Sequence, residues 1–281
     1  TLLSRDLITP GELSSTIAVS AAVYCTWIVG VFAFSILTGT YSGRGSLGFM
    51  GAGNDVSHSV AISVPFVYWF ATKRMRSPLF RYGLFSLVGV ALFLLFTKSG
   101  ILGLLVLIYL IYRGNPRRMK AFLLFLLGLA LGFAVAMVVL ERGIFYEVYS
   151  VYLFLFREYG IGGVLFSGRN DLVNHFPRLV RETSEIGVLF GPGFTWFSAR
   201  YAELSTHWTY QLKNAELDLF DLFFAHGILG MTAVLWVYIR YSKHAFRRLK
   251  SGIDLRFSLF IFWIHSIFAG HAISTPIVGT Y

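Results

Sequence analysis

Apolar residues run through this chain in long blocks separated by short polar or basic turns. The blocks have the length of membrane helices, for which roughly 20 apolar residues are needed. They predict spans over about 15–37, 58–72, 78–96, 101–112, 121–140, 217–239 and 255–273. Arg81, near the start of the third, has to sit at the interface or snorkel to it. One interval departs from the pattern. Glu141–Glu216 cannot be a span, because it carries eight of the chain's fourteen acidic residues. The expected architecture is therefore all-α and polytopic, a single transmembrane domain over 1–281 with about seven spans and one long polar loop over 141–216. The chain begins with Thr and stops after a span, which reads as part of a longer protein.

Composition agrees with this and narrows the class. The chain is 56% hydrophobic and 14% charged, with a mean hydropathy of +0.67, against about 25% charged for soluble domains. A net charge of +10 raises nucleic acid as a partner. Its Lys and Arg, however, sit in turns between apolar blocks, the pattern that sets membrane orientation, so nucleic acid is excluded. The single cysteine, Cys25, lies inside an apolar block and rules out an intrachain disulfide.

Charge then assigns the two sides. The turns around Lys73–Arg81, Arg113–Lys120 and Arg240–Arg256 hold fourteen Lys and Arg against one acid, Asp254. The opposite side holds nine Lys and Arg and eleven acids. By the positive-inside rule the basic turns are cytoplasmic. The Gly-rich loop 38–57, the Lys98 turn and the long loop then face outward.

Two patterns carry no chemistry. Gly43-Arg44-Gly45-Ser46-Leu47-Gly48 matches a dinucleotide fingerprint letter for letter, but it follows a span rather than a strand and opens no helix. Gly128, Gly132 and Ala136 are spaced for close helix packing. Phe and Tyr are read mostly as lipid-facing or interfacial bulk, with Phe145–Phe156 as an interfacial or re-entrant helix and Phe194, Trp196 and Phe197 as interface anchors.

Within the loop, Ser167–Asp171 offers helix caps, and Leu172, Val173, Phe176, Leu179 and Val180 make one apolar helix face. Pro177 is placed to break or kink that helix. Gly191-Pro192-Gly193 reads as a plain turn. Glu216, Asp218 and Asp221 enter an otherwise apolar run. A carboxylate deep in a bilayer costs about 2.5–3.5 kcal/mol even on permissive scales, which marks these acids as functional candidates. The ordinary alternative is that they favour the positive end of a helix dipole.

The run Lys213–Gly230 resembles the helix-start motif of bacterial O-antigen polymerases and ligases. Three further pieces resemble the family in the same order: Gly48-Phe49 with Gly53-Asn54-Asp55, then Thr97-Lys98-Ser99-Gly100, then Ser167-Gly168-Arg169 with Gly191-Pro192-Gly193-Phe194. The resemblance spans about 180 residues. It implies a GT-C-type membrane glycosyltransferase of the bacterial inner membrane, with its loop facing the periplasm. It also implies a polyprenyl-pyrophosphate-linked glycan as donor and acceptor, membrane lipids and a chain-length regulator as partners, and no metal or other cofactor. Arg169 matches the family's loop Arg, whose implied role is to hold pyrophosphate. Ligases usually carry His where this chain has Glu216, and often Arg near Lys98. Both departures favour a polysaccharide polymerase over a ligase joining finished glycan to a lipid.

The residue types suit that chemistry. A departing pyrophosphate calls for Arg or Lys, with Arg the better bidentate clamp, and Arg169, Arg200 and Lys98 are the candidates. An attacking hydroxyl needs a base within hydrogen-bond reach, for which Glu216 and Asp218 are candidates and His207 a distant one. Asn54 and Asp221 complete the expected substrate site. The rival from another class is a proton-coupled transporter using the intramembrane acids.

Overall fold

The computed structural model describes residues 9–37, 53–95, 97–114, 122–123, 127, 144–166, 170–204, 217–248 and 255–268. Among these the chain is helical and contains no strand. The helices are α1 (Pro10–Leu37), α2 (Gly53–Lys73), α3 (Pro78–Leu94), α4 (Lys98–Gly114), α5 (Ile144–Phe166), α6 (Asn170–Glu182), α7 (Glu185–Phe190), α8 (Phe194–Leu204), α9 (Asp218–Arg248) and α10 (Leu255–Phe268). Six of the predicted spans fall on helices. The fifth, 121–140, and the glycines within it lie outside the described residues, apart from 122, 123 and 127, as does the loop 38–52. Two helices are long and apolar enough to cross a membrane, over Gly11–Phe34 and Asp218–Lys243. Only 33% and 22% of these stretches are buried, unlike the central helix of a soluble domain. Two further apolar helices, Pro78–Leu94 and Leu255–Phe268, are shorter.

The chain divides into two compact units. The first comprises Thr1–Tyr149 and Arg247–Phe262, the second Ser150–Phe246 and Trp263–Thr280.

In the first unit, α1 starts at Pro10 rather than near Ser15 because Thr9 and Glu12 form a capping box. The Thr9 N–H donates to Glu12 Oε2 at 2.8 Å, and the Glu12 N–H donates back to Thr9 Oγ1 at 3.2 Å, satisfying two helix-end donors reciprocally. Helix α1 packs on α2 and α3, and α2 also packs on α4. Lipid offers no hydrophobic drive for helix association, so small residues that let backbones approach take that role. Gly103 is such a residue. A Cβ there would lie 2.8 Å from Ala61 Cβ and 3.2 Å from Leu92 Cδ2, so α4 meets α2 and α3 only because position 103 is bare. The start of α10 joins this bundle through Ser258, whose hydroxyl donates to the Ile62 carbonyl at 2.7 Å.

Arg81 is held by backbone carbonyls of the preceding segment. Its Nε donates to the Ala71 carbonyl at 3.0 Å and its Nη2 to the Met75 carbonyl at 2.9 Å. A fixed cation thus caps the C-terminal end of α2, where the helix dipole favours it.

In the second unit the predicted face of α6 is the face that packs. Leu172 and Leu179 are buried with Phe197, Tyr201, Leu217, Phe223 and Phe224, and Val173, Phe176 and Val180 close around them. Pro177 lies inside α6, which runs on through it. Phe197 is not an interface anchor as predicted. It is fully buried and stacks on Phe224 with ring centroids 4.0 Å apart. Two helices contain a glycine with non-helical torsions: Gly160 in α5 (φ 63°, ψ −154°) and Gly227 in α9 (φ 64°, ψ −171°).

Candidate functional site

The second unit builds its most constrained feature from Gly191, Gly193 and Gly227. At Gly227 the torsions lie in a region open essentially to glycine alone, and the helical ladder of α9 stops there. An unbroken helix would deliver the Ile228 N–H to the Phe224 carbonyl. Instead the Gly193 N–H donates to that carbonyl at 2.9 Å. The backbones also press together. A Cβ on Gly227 would meet the Leu189 carbonyl group at 2.3 Å, and one on Gly191 would meet the Ala225 carbonyl group at 2.6 Å. The Gly-Pro-Gly segment, read from sequence as a plain turn, is the clasp that holds the break in α9.

Asp218 and Asp221 precede that break in the first turns of α9. They are 0% and 4% exposed. The Asp221 N–H donates to the Leu217 carbonyl at 2.9 Å, which opens the helix. Both acids sit where the helix dipole stabilises negative charge. The non-helical torsions at Gly227 put a kink between the two arms of α9, inside the span predicted over 217–239.

Arg200 on α8 is placed otherwise than as an open phosphate clamp. Its Nε donates to Glu182 at 2.5 Å, its Nη1 bonds Glu203, and Glu182 also accepts from Arg178 Nε at 2.9 Å. Arg200, then Arg178, hold the Glu182 carboxyl below its ordinary range through these bonds, and Glu182, then Glu203, raise the Arg200 value.

The first unit brings two of the resembling pieces together at one end of its bundle. Thr97 caps α4, its Oγ1 accepting from the Gly100 N–H at 3.0 Å. The same hydroxyl is hydrogen-bonded to Ser57 in the first turns of α2. A Cβ on Gly100 would lie 2.5 Å from the Leu92 carbonyl oxygen and 3.3 Å from Ser57 Oγ, so only glycine fits the junction. Lys98 opens α4 beside this contact, half-buried, where the dipole disfavours a cation unless an anion accompanies it. Asn54 lies in the first turn of α2.

Arg169, Glu216 and His207 lie outside the described residues. Reading from sequence missed the break at Gly227, the Ser57–Thr97 bond and the Glu182 network. The first had a local signal, a Gly inside an apolar helical run; the other two join residues 40 and 18 apart and had none. Among the described residues no three His, Cys, Asp or Glu side chains gather as metal ligands would. No family model, curated protein or solved structure matches the chain.

Proposed function

We propose that the chain is a GT-C-type membrane glycosyltransferase of about seven spans that polymerises polyprenyl-pyrophosphate-linked oligosaccharide units on the outer face of a bacterial inner membrane. The observation that supports this most is the clasp. Gly191–Phe194 and Asp218–Gly227, two of the pieces that resemble the O-antigen polymerase family, are in direct backbone contact across 30 residues of chain.

In this reading Glu216 takes the proton from an acceptor sugar hydroxyl. The freed oxygen pair forms the new bond to the donor's anomeric carbon, while the bond from that carbon to pyrophosphate breaks. Arg169 and Lys98 hold the departing pyrophosphate, which carries off the bonding pair and finally the proton. Asp218 and Asp221, buried at the helix start, orient the segment that carries Glu216. The test supplies purified protein with a lipid-pyrophosphate repeat unit and scores chain length. Lengthening is expected, and transfer of finished glycan to a lipid acceptor without lengthening identifies a ligase instead.

One observation favours a second reading. A broken helix with buried acids ahead of the break is also how transporters build ion sites. Proton-coupled uptake into proteoliposomes, with no chain lengthening, would select it.

A further inference from the structure

An open apolar groove of about 740 Å³ runs along α1 in the first unit. Its floor is Ala18, Ala22, Thr26 and Gly30, one helical turn apart. Trp27 and Phe34 rise along it, 45% and 65% exposed, and Phe70, Met75 and Leu84 wall its other side. A Cβ on Gly30 would meet nothing within 4 Å, so the trough is open there. The one hydroxyl in the floor, Thr26 Oγ1, donates to the Ala22 carbonyl of its own helix at 2.9 Å. The groove's lining is therefore almost wholly apolar and suits hydrocarbon.

Its end is charged. Met75 lies between Arg74 and Arg76, with Lys73 just before them, and all three basic side chains are exposed. Arg74 is partly engaged, standing 6.0 Å from the Trp69 ring. Lys73 and Arg76 are left to meet an anion at the mouth.

We propose that this groove binds one acyl chain of an anionic phospholipid, its headgroup held at the mouth by Lys73 and Arg76. Charge decides against a neutral lipid, because basic residues at a membrane surface attract anionic headgroups. The inference requires a chain embedded in a bilayer and is independent of glycosyl transfer.

The test uses the full chain, delipidated in a neutral detergent, and measures binding of phosphatidylglycerol and of phosphatidylcholine with identical acyl chains. Phosphatidylglycerol should bind more tightly. The double change Lys73→Gln with Arg76→Gln should weaken it about thirty-fold and leave phosphatidylcholine unchanged. Gly30→Trp should block both lipids at an unchanged melting temperature, and Ala22→Leu replaces it should the larger side chain prevent folding. Equal affinity for the two lipids overturns the proposal. So does a groove-filling variant that binds lipid normally, and one that binds lipid normally but loses self-association makes the groove a seat for a second copy.

Discussion

The amide of Gly193 donates to the carbonyl of Phe224 at 2.9 Å, replacing the bond that the break at Gly227 removes from α9. A loop and a helix are joined by backbone alone, with no side chain required on either partner beyond the hydrogen of glycine. That makes the joint sensitive to the smallest possible substitution.

Alanine at the three glycines should grade that sensitivity. Gly193 has positive φ but open space around it, so Gly193→Ala pays only a left-handed backbone penalty of roughly 1–2 kcal/mol. Gly191 and Gly227 have positive φ and opposing backbone under 3 Å away, so their alanine variants add an overpacking cost of about 1–3 kcal/mol. Thermal unfolding in detergent should rank Gly193→Ala as the mildest. Equal losses at all three would show that the close approach contributes nothing.

A second glycine pair separates packing from propensity in the first unit. Gly103→Ala drives a methyl into Ala61 and should destabilise by about 1–3 kcal/mol. Gly83→Ala, with nothing within 4 Å, should be neutral or stabilise by up to about 1 kcal/mol through helix propensity. Melting temperatures of the two variants give the answer.

Acid should loosen the junction of α6 and α8. Arg200 and Arg178 favour the charged form of Glu182, so its folded value lies below the ordinary 4.5. Its contribution is then present above pH 4.5 and disappears as pH falls through the depressed folded value. The side chains are well exposed, which keeps the effect small. Comparing melting temperature against pH for the native chain and Glu182→Gln should show a shallower acid decline in the variant. Parallel curves would mean the network carries no folding energy.

The proposed reaction makes separate demands on three residues. Glu216→Gln should slow extension by on the order of 10²–10⁴-fold while donor binding persists. Arg169→Lys should lose most activity, because a point charge lacks the planar fork. Asp218→Asn, altering a fully buried carboxylate, should impair folding or donor binding rather than the chemical step. Normal extension by Glu216→Gln together with abolished extension and intact binding in Asp218→Asn would exchange the two roles.

Orientation is testable without activity. A cysteine at Lys213 should label from outside intact cells and one at Arg117 should not. Cys25 is buried and silent in this assay. The reversed pattern would remove the topology on which the reaction rests.

Much of the helical framework was visible in the pattern of apolar blocks, because burial and lipid exposure both select the same side chains. The packed face of α6 followed from Leu172, Phe176 and Leu179 at helical spacing. The break in α9 did not, since hydropathy averages over Gly227 without registering its torsions. Phe197 shows the converse limit: composition cannot say whether an aromatic ring meets lipid or the distant Phe224. Arg81 was recognised as an anomaly, but the carbonyls that satisfy it belong to the end of α2 and the turn after it, which only the fold brings within reach.

The broken helix also sets a depth. On the proposed topology the apolar part of its second arm, Ile228–Ile239, rises about 18 Å before Arg240, against a hydrocarbon layer of about 30 Å. In that reading Gly227 and its clasp would lie beneath the outer headgroups rather than above them. Bare backbone carbonyls are not tolerated in lipid, so the donor that Gly193 brings to Phe224 is what permits an interrupted helix to reside at that level.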